Sequence, residues 1–232
     1  MNKTIACLKW GSKYDSNYVN ILYNMCKRHT SIPFEFVCFT DNAYGLDSKI
    51  TIKSLPNVNL SGWWLKPYVF CKTNGLRGNI LFLDLDIVIY ENIDKLWNYN
   101  SSDFLIIRDF TRHMNPGWQR YNSSVFRFIA DDYYWIWDNF INDHKQIVNK
   151  NHGDQDYLYS ILKNKAKFWP DHWIQSYKWE MRDKNDVALV NGRRNFTCVK
   201  DPRIVDEGCI AVFHGDPNPH VVTDPWVINH WK

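Results

Sequence analysis

The chain has 232 residues, enough for one sizeable domain with a full hydrophobic core and too few for two. Its formal net charge is +3, from 28 Lys+Arg against 25 Asp+Glu with no long basic run, which argues against nucleic acid as a partner. No apolar stretch approaches the roughly 20 residues that a membrane-spanning helix needs.

Residues 4–8 read as a buried strand and 10–14 as the loop after it. A helix follows, capped by Asp15 or Ser16, because Val19, Leu22, Tyr23 and Cys26 recur at helical spacing. Residues 34–39 are a second predicted strand, ending in Thr40-Asp41-Asn42, and 49–53 a short third. Strand, helix, strand in that order predicts parallel pairing in an α/β sheet. Proline is tolerated in a helix's first turn, so Pro67 predicts a helix from about Lys66 to Asn74-Gly75. Residues 80–83 form an apolar strand running into Asp84-Leu85-Asp86, and 87–90 are another apolar run. Further strands are predicted at 104–107 and 124–128. Helices are predicted around Tyr133, Trp137 and Phe140, and around Tyr157, Leu158, Ile161 and Leu162. From about 164 to 208 the chain is polar without a clear period and reads as irregular. Residues 210–213 are the last predicted strand, followed by the Gly/Pro-rich loop His214-Gly215-Asp216-Pro217-Asn218-Pro219.

Six cysteines (Cys7, Cys26, Cys38, Cys71, Cys198, Cys209) show no C-x-x-C spacing, and several sit in apolar runs where a thiol behaves as a small hydrophobe. A reduced, cytoplasmic protein is expected, without a signal peptide, since the chain opens on strand-like residues. Twelve Trp and thirteen Tyr serve mainly as core, and some are expected to stack on a sugar or a base.

Asp84 and Asp86 are two apart in extended backbone, so both carboxylates face the same way. Like charges that close are costly unless a cation sits between them, and a hard divalent ion also bridges phosphate oxygens. Open α/β sheets bind ligands at the carboxyl ends of their strands, where this pair lies. Haloacid-dehalogenase-type phosphatases place the same D-x-D after an apolar strand, with the first Asp as nucleophile. About eighty residues precede the pair here and Ile87-Val88 follow it, which weighs against that class. His214 ends an apolar strand and opens a loop, a position that can face a ligand, although a lone His is more often structural. A Lys at a helix start, Lys66, is electrostatically misplaced unless an anion is near.

The runs Leu65-Lys66-Pro67-Tyr68, Ile80-Leu81-Phe82-Leu83-Asp84-Leu85-Asp86 and Asn92-Ile93-Asp94-Lys95-Leu96-Trp97 resemble the glycogenin and bacterial lipopolysaccharide galactosyltransferase group. Asn122-Ser123-Ser124-Val125, Gly153-Asp154-Gln155-Asp156 and Val212-Phe213-His214-Gly215 match further segments of that group in the same order. The resemblance implies a single GT-A-type, Rossmann-like α/β domain over 1–232, with a mixed central sheet flanked by helices. It implies a hexosyltransferase, retaining, that uses a UDP-sugar donor with Mn²⁺ or Mg²⁺ and a carbohydrate or other hydroxyl acceptor. On that basis Asp84, Asp86 and His214 are expected to hold the metal, and Asp154 and Gln155 to act at the anomeric carbon. Trp10, Gly11, Tyr14, Asp41, Lys66, Asp84, Leu85, Asn122, Ser123, Gly215 and Asn218 are expected to bind the donor. Residues 8–14 and Asp41 fall at the nucleotide-binding ends of the first two strands. Two departures stand out: Asn218 where the group carries a diphosphate-gripping Lys, and Ser124 where it carries Gly. The expectation is then either a weaker grip on phosphate or a charge borrowed from Lys66 or Arg77. A haloacid-dehalogenase-type phosphatase and a non-catalytic glycan-binding module are the competing readings, and homo-oligomerisation is left open.

Overall fold

A computed structural model describes residues 2–182 and 201–232, with backbone alone at 187–190 and 193–196. Strand β1 (Lys3–Lys9) lies inside a seven-stranded sheet, paired in parallel with β2 (Glu35–Thr40) and β4 (Asn79–Leu83). Beyond β2 lies β3 (Thr51–Ser54), also parallel. Beyond β4 the direction reverses. The antiparallel β7 (Tyr121–Ile129) pairs with both β4 and β6 (Leu105–Arg108), and β8 (Lys167–Phe168) closes the edge. The sheet is therefore mixed, as expected.

Helix α1 (Ser16–His29) makes the crossover from β1 to β2. Asp15 caps it, its Oδ1 accepting from the backbone N–H of Asn17 at 3.0 Å and of Tyr18 at 3.4 Å. Side chains alternate across the central strands, so two cores form on opposite faces of the sheet. Ile5, Cys7, Leu81 and Leu83 join the core under α1, whereas Ala6, Ile80 and Phe82 join the other. That second core packs against α4 (Trp135–Lys150) and α5 (Asp154–Leu162). Phe70, Phe82, Phe126 and Phe128 stack within it, with Phe82 and Phe126 centroids 4.8 Å apart. The short helix α3 (Ala130–Tyr133) joins this second core, whereas α2 (Asp94–Asn98) packs Leu96 and Trp97 into the first.

A second, smaller sheet orders β5 (Ile87–Ile89), β12 (Ile210–Val212) and β9 (Ile174–Ser176). Strand β12 runs antiparallel to β5 and parallel to β9. Strands β10 (Val187–Val190) and β11 (Arg193–Phe196) pair as a separate antiparallel hairpin. Helix α6 (Pro225–His230) packs back on the first core through Trp226 and Val227.

Two expectations are corrected here. The segment around Lys66 is a 3-10 helix spanning Gly62–Phe70, followed by a short turn at Lys72–Asn74, not an α-helix beginning at Lys66. Pro67 sits inside it, with no N–H to donate and a ring that crowds the preceding turn, so α-type hydrogen bonding cannot run through. Gly75 does end the segment, at a φ of 82°. The stretch from 164 to 208 is not wholly irregular, since it contains β8, β9, β10 and β11. These strands are two to four residues long, too short to carry a readable period. Cys7, Cys26, Cys38, Cys71 and Cys209 are free and buried, and Cys198 lies outside the described residues. Among the described residues no helix is long and apolar enough to cross a membrane.

Candidate active site

The Asp84-Leu85-Asp86 step joins the two sheets. The N–H of Asp84 donates to Ser124 O at 2.8 Å, continuing the β4–β7 ladder. The N–H of Phe213 donates to Asp86 O at 2.9 Å, continuing the β5–β12 ladder. Leu85, between them, is buried in the core at 2% exposure. Alternation then turns both carboxylates the other way, into a cavity of about 520 Å³.

The cavity gathers residues from across the chain. Trp10 and Tyr14 come from the loop after β1, Lys66 from the 3-10 segment, and Asn122 and Ser123 from β7. Asp154 and Gln155 come from the start of α5, and His214 and Gly215 from the loop after β12. Of the residues expected in the site, Gly11, Asp41 and Asn218 do not line the cavity. Each is nonetheless tied to the loop after β1. Gly11, at a φ of 63°, turns that loop so that its N–H donates to Asp41 Oδ2 at 2.9 Å. The Tyr14 hydroxyl lies 3.1 Å from Asp86 Oδ2 and 3.2 Å from Asn218 Oδ1, joining the loops after β1 and β12 at the acidic pair.

Lys66 is buried, at 7% exposure, and surrounded by acceptors. Its Nζ lies 2.9 Å from Asp84 Oδ1, 3.1 Å from Asp84 Oδ2 and 3.6 Å from Asp154 Oδ2. It also donates to Ser123 O and Oγ, both at 3.2 Å. Burial works to lower its pKa, but Asp154 and Asp84 outweigh burial and hold it above the ordinary lysine value. The group is a fixed cation. Asp154 is buried as well, and desolvation raises its carboxyl while Lys66 opposes the rise. Asp86 has no such partner: burial, then the neighbouring Asp84 charge, push it up to about 6 against the pull of Lys13 and Tyr14.

His214 is held by three neighbours. Its ring stacks on Phe110 with centroids 5.0 Å apart and meets the edge of Trp179 at 4.5 Å. Its Nε2 lies 2.7 Å from Ser176 Oγ. Burial and the nearby Lys178 charge lower its pKa to about 4, so the imidazole is neutral at neutral pH and keeps a lone pair to offer. Among the described residues no three His, Cys, Asp or Glu side chains converge into a ready-made metal cage. Asp84, Asp86 and His214 line one cavity without forming that cage.

Sequence reasoning did not single out Lys13, Trp63, His152 or Asp156, all of which line the cavity. Lys13 and Asp156 adjoin residues that were singled out, and that adjacency is the signal available for them. Trp63, 58% exposed at the rim, and Ser176, behind His214, carry no such signal.

Solved glycosyltransferases share this fold. The galactosyltransferase LgtC, in complex with donor and acceptor sugar analogs, superposes with a TM-score of 0.61 at 11% identity, over 93% of this chain and 88% of its own. The glycosyltransferase GlyE of Streptococcus pneumoniae TIGR4 gives 0.58 at 12% identity, over 74% of this chain. The match spans 46% of GlyE, about half its length. Mouse xyloside xylosyltransferase 1 gives 0.51 at 14% identity, over 77% of this chain and 89% of its own. In sequence, no family model and no curated protein matches. At these identities the likeness is one of fold, and it agrees with the mixed, helix-flanked sheet that the sequence resemblance implied.

Proposed function

We propose that the chain is a metal-dependent hexosyltransferase that moves a sugar from a nucleotide-sugar, a UDP-sugar by resemblance, to a carbohydrate or other hydroxyl acceptor with retention. The observation that carries this reading is the paired Asp84 and Asp86, turned into one cavity at the junction of two sheets, on a fold shared with glycosyltransferases.

The residues fit a divalent ion, Mn²⁺ or Mg²⁺. Asp84 and Asp86 turn into one cavity that His214 also lines, a donor set of two carboxylates and an imidazole. Hard ions of this kind take one or two protein carboxylates and complete their shell with water and substrate phosphate, so a full protein cage is not required. Asp84, Asp86 and His214 would hold the ion, which when bound neutralises the departing nucleoside diphosphate. Tyr14 steadies the Asp86 carboxylate by hydrogen bonding. Lys66 holds the Asp84 and Asp154 carboxylates in place through its ion pairs, a positioning role in this site. Asp154 and Gln155, at the head of α5, line the same cavity, and by the resemblance they would act at the anomeric carbon and orient hydroxyls there. Asn122 and Ser123 line the same wall, with Ser123 fixed by Lys66. The exposed Trp63 ring at the rim suits an acceptor sugar, since flat rings stack on pyranoses.

Incubation with UDP-glucose or UDP-galactose and Mn²⁺ is expected to release UDP, and Asp84→Ala or Asp86→Ala to abolish the metal-dependent part. Folded protein that turns over no nucleotide-sugar in the presence of metal would remove the enzyme reading. A phosphatase with Asp84 as nucleophile predicts instead Mg²⁺-dependent hydrolysis of simple phosphate esters. The fold neighbours do not favour that alternative, nor the non-catalytic glycan-binding module.

A further inference from the structure

The charges lining the cavity single out one side chain for the ligand proposed above. Four carboxylates line it, those of Asp84, Asp86, Asp154 and Asp156, against the ammonium groups of Lys13 and Lys66. A nucleoside diphosphate adds further negative charge, so its binding calls for a protein cation that is not already committed. Lys66 is committed to Asp84, Asp154 and Ser123. Arg77 lies elsewhere: its Nη1 donates to the carbonyls of Lys72 and Leu76 and to the Tyr134 hydroxyl. Lys178 donates to the carbonyls of His214 and Asp216 and does not line the cavity. Asn218 is neutral and offers Tyr14 a carbonyl oxygen.

Lys13 is placed differently. It lines the cavity, its side chain is exposed, and among the described residues it enters no salt bridge. Its Nζ lies 4.7 Å from the centre of the Tyr14 ring, whose hydroxyl reaches Asp86 and Asn218. The ammonium thus sits over a side chain that connects the acidic pair to the loop after β12. The turn at Gly11, tied to Asp41, anchors the loop that carries it. We propose that Lys13 is the diphosphate-binding cation of this site, reaching the nucleotide's phosphates from across the face of Tyr14. The assignment rests on the cavity being the donor site. Lysine acts on phosphate as a mobile point charge, which suits an exposed side chain on a loop better than the fixed, buried Lys66.

The test is calorimetric titration of UDP, with Mn²⁺ present, into the whole chain and into K13Q, K13R and the double variant K13Q/N218K. Uridine binding is followed by ligand-observed NMR, and melting curves verify folding. K13Q is expected to weaken UDP about tenfold or more, the size of a lost charge-assisted contact, and to leave uridine unchanged. K13R should bind UDP nearly as the parent does. The N218K change should restore much of the loss, because position 218 lies against the hydroxyl of the same Tyr14 whose ring Lys13 faces. UDP bound as tightly by K13Q as by the parent overturns the Lys13 assignment and leaves the donor site standing. Equal losses of UDP and uridine overturn it as well, since they point to a disturbed loop. A parent chain that binds none of UDP, GDP, CDP or ADP removes the donor-site reading, and the assignment with it.

Discussion

At the scale of single residues, Asp86 and Lys66 show two ways of holding charge in a partly dry cavity. Asp84 is neutralised by Lys66, whereas Asp86 is left with a hydrogen bond from Tyr14 and a carboxyl pushed up to about 6. Between its ordinary value near 4 and about 6, the native chain binds a proton that the unfolded chain releases. Stability is therefore lost as pH rises through that window, and the loss is complete above it. Asp86→Asn removes the cost. In EDTA, its melting temperature at pH 7.5 should exceed the parent's by a few degrees, the gap closing toward pH 4. An equal or lower melting temperature at pH 7.5 counts against this account of Asp86. Lys66→Met has the opposite sign, because it strands Asp84 and Asp154 around an apolar side chain. A loss of about 3 kcal/mol in denaturant unfolding is expected. A loss under about 1 kcal/mol would show that the carboxylates find other partners.

At the scale of elements, local chemistry sets helix boundaries while packing decides what a strand carries. Asp15 satisfies two of the first N–H groups of α1, so Asp15→Ala should cost about 1 kcal/mol. Thermal unfolding reads this as a fall of roughly 2–4 °C, and no change would mean that packing of the Val19, Leu22 and Cys26 stripe alone holds the helix. Strand β7 is less predictable. Arg127 is fully buried in it, its guanidinium donating to the carbonyls of Trp97, Asn100 and Asp103. Burial lowers its pKa to about 10, yet the carbonyls at the end of α2 and in the turn beyond accept its protons. Nothing in the local sequence separates this arginine from a solvated one.

At the scale of the whole molecule, the small sheet and the C-terminal segment bring His214 into the cavity that Asp84 and Asp86 line. Asp224 caps α6 by accepting from Trp226 N–H at 2.9 Å, and it also takes the Arg182 guanidinium and the Tyr177 hydroxyl. Arg182 and Asp224 are 1% exposed each, so the pair ties the chain next to β9 to the last helix in a dry setting. Asp224→Asn keeps a hydrogen-bonding oxygen but removes the charge that faces Arg182. It is expected to destabilise by about 3 kcal/mol, or some 6–10 °C in melting temperature. A shift within 2 °C would show that the tie is not needed to seat the small sheet.

The sequence by itself determined the frame of this protein. Apolar runs ending at Asp84, the Asp15 cap, the β1–α1–β2 order and the spacing of Asp84 and Asp86 are local signals, written within a few residues of where they act. They sufficed for an α/β sheet and for the acidic pair, whereas the mixed sheet and most of the other residues that meet in the cavity followed from the family resemblance. Tertiary structure decided the rest. That Lys66 is committed to Asp84 and Asp154, that Ser176 backs His214, and that Tyr14 joins Asp86 to Asn218 are contacts across 18 to 204 residues of chain. No periodicity records such pairings, because each depends on where folding places a distant backbone. Charge is the clearest case. The sequence counts lysines, but only the folded cavity shows that Lys66 is paired there while Lys13 lines it without a salt bridge among the described residues.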